Sequence, residues 1–447
     1  MQTLNELKKP NATLARILPK QEPRPGVRYV PSQFVLRFTR GERHYAYQTL
    51  TGQLIEAELP EAAEWDEETE ALIRGLFLVP EGKDECAYYN SVSTLMRTLN
   101  QRSPNRSFVL LPTLRCNARC VYCYEEGRVQ RTMTPETVER VLRYIIKTHS
   151  VEPVPIAWFG GEPLLCPDII DRICAGLRDA GLDYRCSMVS NGSLVTPAII
   201  EKMTGLWKVG QIQISMDGAE ADYIPRKNYY VWQDQYHRVM DSISRMSEAG
   251  IQVVIRCNVE EANWAGIPRF LEDLKTGIAN KEHVRLYFCP LNHVRDSEND
   301  AAMWKKIVEA RPLISAAGFS AKGVYGPGTG FRTYHCMADS GSVAIEPDGS
   351  LYPCQHCPPE GRFGNIWDEA VDEARRQEFC RVDRTREDCR RCPYLPICTN
   401  FTACPTKELQ CRQVMELTVL DELNWYLDHQ TEGRAPEEEA ALDAENC

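Results

Sequence analysis

From Phe108 onward the chain alternates short apolar runs with longer stretches whose apolar residues recur at helical spacing. FVLLPT, Phe108–Thr113, is an apolar run of buried-strand type. Thr134-Pro135 then opens a helix, with threonine as N-cap and proline at the first helical position. Val138, Val141, Leu142, Ile145 and Ile146 share one face of it. Pro155–Phe159 is the next strand. The same patterning predicts strands near 184–189, 210–216, 252–258 and 284–289, and helices near 167–180, 197–206, 233–249, 263–275 and 300–316. Six strands separated by helices argue for parallel βαβ units, which right-handed crossovers wind into a curved, incomplete barrel. The expected fold is therefore α/β: a partial (β/α)6 TIM-like barrel over residues 106–320. In such barrels the chemistry sits at the C-terminal ends of the strands.

The pattern before the barrel is different. Residues 1–27 are polar and broken by prolines, which predicts a flexible lead-in. Residues 28–105 read as a small separate unit. It has strands at Gln33–Phe38 and around Ala46–Leu54, a helix over Trp65–Phe77 and an extended piece at Leu78–Pro80. The unit is either a recognition domain or a structural extension. Past residue 420 a helix end leads into an acidic tail, 431–447, of disordered composition.

Composition narrows the function classes. A net charge of −11 argues against broad binding to nucleic acid or anionic membranes. No apolar run approaches the ~20 residues needed to span a bilayer, and the N-terminus lacks the apolar core of a signal peptide. The expected location is the cytoplasm. There, nineteen cysteines in one chain read as metal or iron–sulfur ligands rather than disulfides.

Three of them, Cys116, Cys120 and Cys123, form a Cys-x3-Cys-x2-Cys array directly after the first barrel strand. Three thiolates on one loop hold three irons of a [4Fe–4S] cube and leave the fourth open, whereas fully ligated clusters take four. A zinc knuckle would want a fourth ligand, and the nearest later candidates, His149 and Cys166, are far along the chain. This array resembles the signature of radical S-adenosylmethionine (SAM) enzymes. The resemblance implies that SAM chelates the open iron, and that an electron from the cluster cleaves SAM to methionine and a 5′-deoxyadenosyl radical. Tyr122 would lie near the adenine.

Further motifs follow the later strands in the family's order. Gly160-Gly161-Glu162-Pro163 resembles the GGEP motif that contacts the SAM amino group, and Ser190-Asn191 resembles a second conserved turn. Ser215 and Asp217 belong to a third, whose serine binds the SAM carboxylate in relatives together with an arginine. Arg226 is the best-placed arginine here, since a guanidinium matches a carboxylate in bidentate geometry; the alternative is a surface residue. Asn258 ends the fifth strand, where relatives often carry a polar SAM-contacting residue, and the resemblance implies that Leu286 and Tyr287 on the sixth pack the adenine.

Nine more cysteines run from Cys336 to Cys411. Setting Cys380 aside, their spacing is similar to the SPASM extension, which carries two auxiliary [4Fe–4S] clusters, here over residues 321–420. The resemblance assigns Cys389, Cys392, Cys398 and Cys411 to the distal cluster. Cys336, Cys354 and Cys404 would hold the proximal one, with Cys357 as substitute fourth ligand; otherwise that cluster is open. The Cys398–Cys404 spacing is longer than the family pattern, and zinc is the competing metal. Cys174, Cys257 and Cys289 are expected in the core, and Cys447 has no expected role.

The resemblance implies an enzyme with three [4Fe–4S] clusters and SAM, modifying a ribosomally made (RiPP) peptide. Residues 28–105 would be a winged-helix-like domain that binds the precursor's leader by strand addition. Flavodoxin or ferredoxin would supply electrons. A thioether crosslink from a cysteine is the expected product; carbon–carbon crosslinking and formylglycine formation are alternatives. The last needs a general base, for which Asp339 is the weak candidate. A reading from another class is a non-catalytic iron–sulfur or zinc module that binds peptides.

Overall fold

The structure is a computed structural model that describes residues 5–18, 20–100, 106–230, 234–291, 297–321, 330–332, 340–368, 370–378, 389–398 and 412–429. It divides into two compact units. The described parts of 1–102, 327–336 and 381–446 form one; those of 103–326 and 337–380 form the other.

The first unit has strands β1 (Asn5–Lys8), β2 (Arg28–Pro31), β3 (Val35–Arg40), β4 (Arg43–Gln48), β5 (Gln53–Glu56), β6 (Ala63–Glu64) and β7 (Leu78–Pro80). They make a four-stranded sheet ordered β1-β5-β4-β3 and a three-stranded sheet ordered β6-β2-β7, both antiparallel. Residues read as a loose lead-in are structured: β1 pairs with β5, and the helix Ala12–Ile17 buries Leu14. The helix expected over 65–77 is confined to Glu70–Arg74, because Asp66 and Thr69 bond each other across a turn before it. The pattern missed the helix Glu85–Asn100, whose Tyr-Tyr-Asn-Ser-Val-Ser-Thr stretch has weak helix propensity; burial of Tyr89, Val92 and Met96 stabilises it. The helix Arg412–His429 completes this unit.

The second unit is built on β8 (Ser107–Leu110), β9 (Val154–Trp158), β10 (Tyr184–Ser190), β11 (Val209–Ser215), β12 (Gln252–Val259) and β13 (Val284–Pro290). These are the six predicted strands, and each is parallel to its neighbours. The predicted helices fall between them, at Pro135–Thr148, Pro167–Asp179, Pro197–Thr204, Gln235–Glu248 and Ile267–Gly277. The sheet then gains β14 (Ser342–Ile345), parallel to β8, and the antiparallel β15 (Ser350–Tyr352) and β16 (Gly364–Asn365). Along β11 and β13, fully buried residues alternate with half-buried ones, so the two sheet faces differ. Among the described residues no helix is long and apolar enough to cross a membrane.

Candidate active site

The cysteine loop leaves the C-terminal end of β8 and is held on three sides by backbone bonds. Leu114 N donates to Arg131 O (2.8 Å), and Met133 N to Pro112 O (2.9 Å). Val121 N reaches Arg226 O (3.0 Å), and Arg119 N reaches Lys227 O (3.1 Å). Gly161 N and Glu162 N donate to Thr113 O and Arg115 O, at 3.0 and 2.9 Å. The paired glycines serve this last contact. A Cβ on Gly160 would stand 2.3 Å from Thr113 O, and one on Gly161 would stand 2.3 Å from Arg115 O. Gly160 also has φ +119°, where only glycine is comfortable. The backbone that the glycines let approach is thus the cysteine loop itself.

Glu162 is fully buried beneath the loop. Its carboxylate accepts from Leu164 N (3.0 Å), Ser190 Oγ (2.9 Å) and Asn191 N (2.8 Å). It caps the turn Pro163–Leu165, of which Pro163 is the first residue. Burial pushes its pKa up, against those hydrogen bonds. A carboxylate has about four acceptor positions, so one remains for an ammonium. Asn191 Nδ2 donates to Asn117 Oδ1 (2.8 Å) and lies 4.0 Å from Cys116 Sγ, bracing the loop's first ligand. Burial pushes the Cys116 thiol up to about 12, helped by the Glu162 charge, and raises Cys123 as well. Such thiols ionise when a metal supplies the compensating charge.

A buried polar network adjoins the loop. Tyr122 donates its hydroxyl to Asp217 and receives a bond from Lys227 Nζ at 2.6 Å. Asp217 also accepts from Asn258 Nδ2 (2.9 Å) and N (3.3 Å). Asn258 is thereby committed to Asp217 on one side, and to Arg256 Nε on the other at 3.0 Å. Lys227 Nζ donates to Ser215 Oγ at 2.7 Å, which leaves the Ser215 hydroxyl hydrogen to be donated elsewhere. Arg226 is buried, with its guanidinium 5.7 Å from the Tyr122 ring and one nitrogen on Glu260. Its Nε and Nη2 are buried without a hydrogen-bond partner. A guanidinium with two such donors is a site for an anionic oxygen pair. It is therefore not a surface residue.

The sixth strand separates its two candidates. Tyr287 lies on the half-buried face and donates its hydroxyl to Gln213 Oε1 at 2.9 Å. Leu286 lies on the opposite face with Phe288, which packs on Trp264. Neighbouring strand residues point to opposite sides, so the two side chains face different layers. Cys289, expected in the core, shares the Tyr287 face and accepts from Arg256 Nη2 at 3.1 Å. Cys174 and Cys257 are core residues as expected. His149 bonds the carbonyl of Ile145 at 3.1 Å at the end of its helix.

Three Cys-x2-Cys turns share one backbone bond. Cys123 N donates to Cys120 O (3.1 Å), Cys357 N to Cys354 O (3.2 Å) and Cys392 N to Cys389 O (3.0 Å). Cys354 and Cys357 pack in the second unit with Val109, Leu111 and Leu114, the apolar lead into the cysteine loop. Cys389, Cys392 and Cys398 pack in the first unit with Tyr394, Leu395 and Ile397. Cys336, Cys404, Cys411 and Asp339 lie outside the described residues. Sequence reasoning missed Lys227, Asn117 and Arg256. Lys227 sits in the last turn of a helix, where a lysine reads as a solvated partner of the helix dipole.

The Radical SAM superfamily profile matches residues 110–274, and that of the SPASM iron–sulfur cluster-binding domain matches 336–393. An AdoMet-dependent heme synthase of Methanosarcina barkeri is 24% identical over 325 residues, 65% of this chain and 89% of the relative. A probable GTP 3′,8-cyclase of Methanothermobacter marburgensis is 25% identical over 283 residues, covering 57% and 86%. Among solved structures, native anSMEcpe with bound AdoMet and Cp18Cys peptide shares the fold, with TM-score 0.54 and 17% identity over 72% of this chain and 99% of that one.

Proposed function

Since the chain belongs to the radical SAM superfamily and carries the SPASM iron–sulfur domain, we propose that it is a cytosolic enzyme that modifies a ribosomally made precursor peptide. Its two domains imply [4Fe–4S] clusters, up to three, and SAM. The observation that carries the reading is Arg226: a buried guanidinium with two unpartnered donors, beside a three-cysteine loop at the strand ends.

Cys116, Cys120 and Cys123 would hold the first cluster, which with SAM supplies the 5′-deoxyadenosyl radical. Arg226 and the outward hydroxyl of Ser215 take the SAM carboxylate, and the remaining acceptor position of Glu162 takes the ammonium. Tyr122 and Tyr287 flank the remainder of the ligand. Cys354 and Cys357, adjacent on one turn, serve the proximal auxiliary cluster with Cys336 and Cys404. Cys389, Cys392 and Cys398 serve the distal one with Cys411. The protein's own work is to orient the ligand and exclude water from the strand ends.

The peptide reading draws on the first unit. There β3 pairs with β4 on one side alone among the described residues, leaving an edge to which an extended leader can add. A fold neighbour with a bound peptide supports the same substrate class. A thioether from a peptide cysteine is the bond proposed. Forming that bond removes one hydrogen atom from carbon, and one proton and one electron from the thiol; the auxiliary clusters held by the proposed cysteines would be the acceptor of that electron. Carbon–carbon coupling has the same balance.

Anaerobically reconstituted protein with dithionite and SAM should release 5′-deoxyadenosine, and the triple variant Cys116→Ala, Cys120→Ala, Cys123→Ala should release none. With the cognate precursor, mass spectrometry should show loss of two hydrogens. Turnover of a tetrapyrrole or nucleotide in place of any peptide would overturn the substrate assignment.

A further inference from the structure

Lys227 is among the most completely buried charges in the molecule, with its side chain 1% exposed. Taking an ammonium out of water costs several kcal/mol, so its surroundings must compensate. Nζ donates to Tyr122 Oη (2.6 Å) and Ser215 Oγ (2.7 Å) and pairs with Asp217 Oδ2 (3.2 Å), which uses all three of its hydrogens. The ring of Tyr122 lies 5.3 Å from the same ammonium. Tyr122 stands between two of the cysteines, and the carbonyls of Arg226 and Lys227 grip the backbone of Val121 and Arg119. The lysine is therefore fixed to the cysteine loop by both its main chain and its side chain.

Saturating Asp217 does not require a lysine. That carboxylate already receives Tyr122 Oη and two donors from Asn258. Burial opposes the charge on Lys227, but Asp217, Tyr122 and Cys120 together hold it well above the usual lysine range. Reduction of a cluster adds one negative charge, and a nearby buried cation stabilises that state in a medium of low dielectric.

We infer that Lys227 is a positioning residue that sets the reduction potential of the cluster on Cys116, Cys120 and Cys123, its positive charge being offset against Asp217 so that the pair trims the potential from both sides. This rests on the proposed role of those cysteines.

The test is a redox titration of the reconstituted full-length protein without SAM, followed by electron paramagnetic resonance. The relevant signal is the one lost in the triple cysteine variant. Lys227→Met should move the midpoint to more negative potential and Asp217→Asn to more positive potential. The double variant should return close to the starting value, and Lys227→Arg should stay near it. General loosening of the loop would move both single variants in one direction. Shifts of the same sign, or no shift in either at full iron content, overturn the inference. If Lys227→Met fails to take up iron, Asp217→Asn and Lys227→Arg decide: a positive shift and no shift support it, any other pair sinks it. Absence of any triad-dependent signal in the unaltered protein would remove the proposed function as well, which separates the two failures.

Discussion

The turns at Cys120–Cys123 and Cys389–Cys392 close with the same backbone bond, at 3.1 and 3.0 Å, yet their settings are opposite. The first is surrounded by Tyr122, Asp217, Lys227 and Arg226, a buried polar network with two donors still unused. The second is followed by Tyr394, Leu395 and Ile397, which sink into an apolar cluster with Phe34, Tyr47 and Met415. A ligand turn of this kind presents sulfur and little else. What packs behind it decides whether a small polar molecule can be bound beside the metal or whether the site is sealed. On the proposed ligand sets, the polar setting suits a reacting centre and the apolar one an electron store.

The sharpest way to break this contrast is to remove one cysteine from each turn. Cys120→Ala should bring 5′-deoxyadenosine release to background, while Cys392→Ala should leave SAM cleavage standing and lower the yield of modified peptide. Equal loss in both would erase the distinction. Ile397→Ala, truncating a side chain with no exposure, should cost about 4 kcal/mol of stability in denaturant titration and leave SAM affinity unaltered. Gly161→Ala drives a Cβ into the Arg115 carbonyl and should cost about 3 kcal/mol, with iron lost from the loop on gel filtration. Arg226→Gln should weaken SAM binding by about 2 kcal/mol, roughly 30-fold, in calorimetry, with the fold intact. Thr134→Ala lies at neither turn; losing its cap on Thr137 N should cost about 1 kcal/mol and change neither cluster.

Most of the second unit was legible because its strands are short apolar runs and its helices are apolar on one face, so the pattern reports them directly. The three cysteines and the turns at Gly160, Ser190 and Ser215 were legible for a related reason: each follows a strand, and local sequence carries the strand. Other features depend on partners distant in the chain. That β14 would lie parallel to β8 is a tertiary pairing without local signal. Lys227 was invisible because a charged residue in a last helical turn looks solvated, and its burial depends on Tyr122, about a hundred residues earlier in the chain, as well as on Asp217 just ahead of its helix. In the first unit the strands are short and one helix is poor in strong formers, so the pattern underdescribed it.

The grip of residues 226 and 227 on the cysteine loop spans roughly a hundred residues of chain, which makes it a late contact in folding. A nascent polypeptide would expose its three thiols well before the segment that shapes their loop has left the ribosome. Iron–sulfur carriers would then meet a competent acceptor only after the helix beyond the fourth barrel strand has been made, so, on the proposed role of these cysteines, cluster loading should not begin in the first half of synthesis.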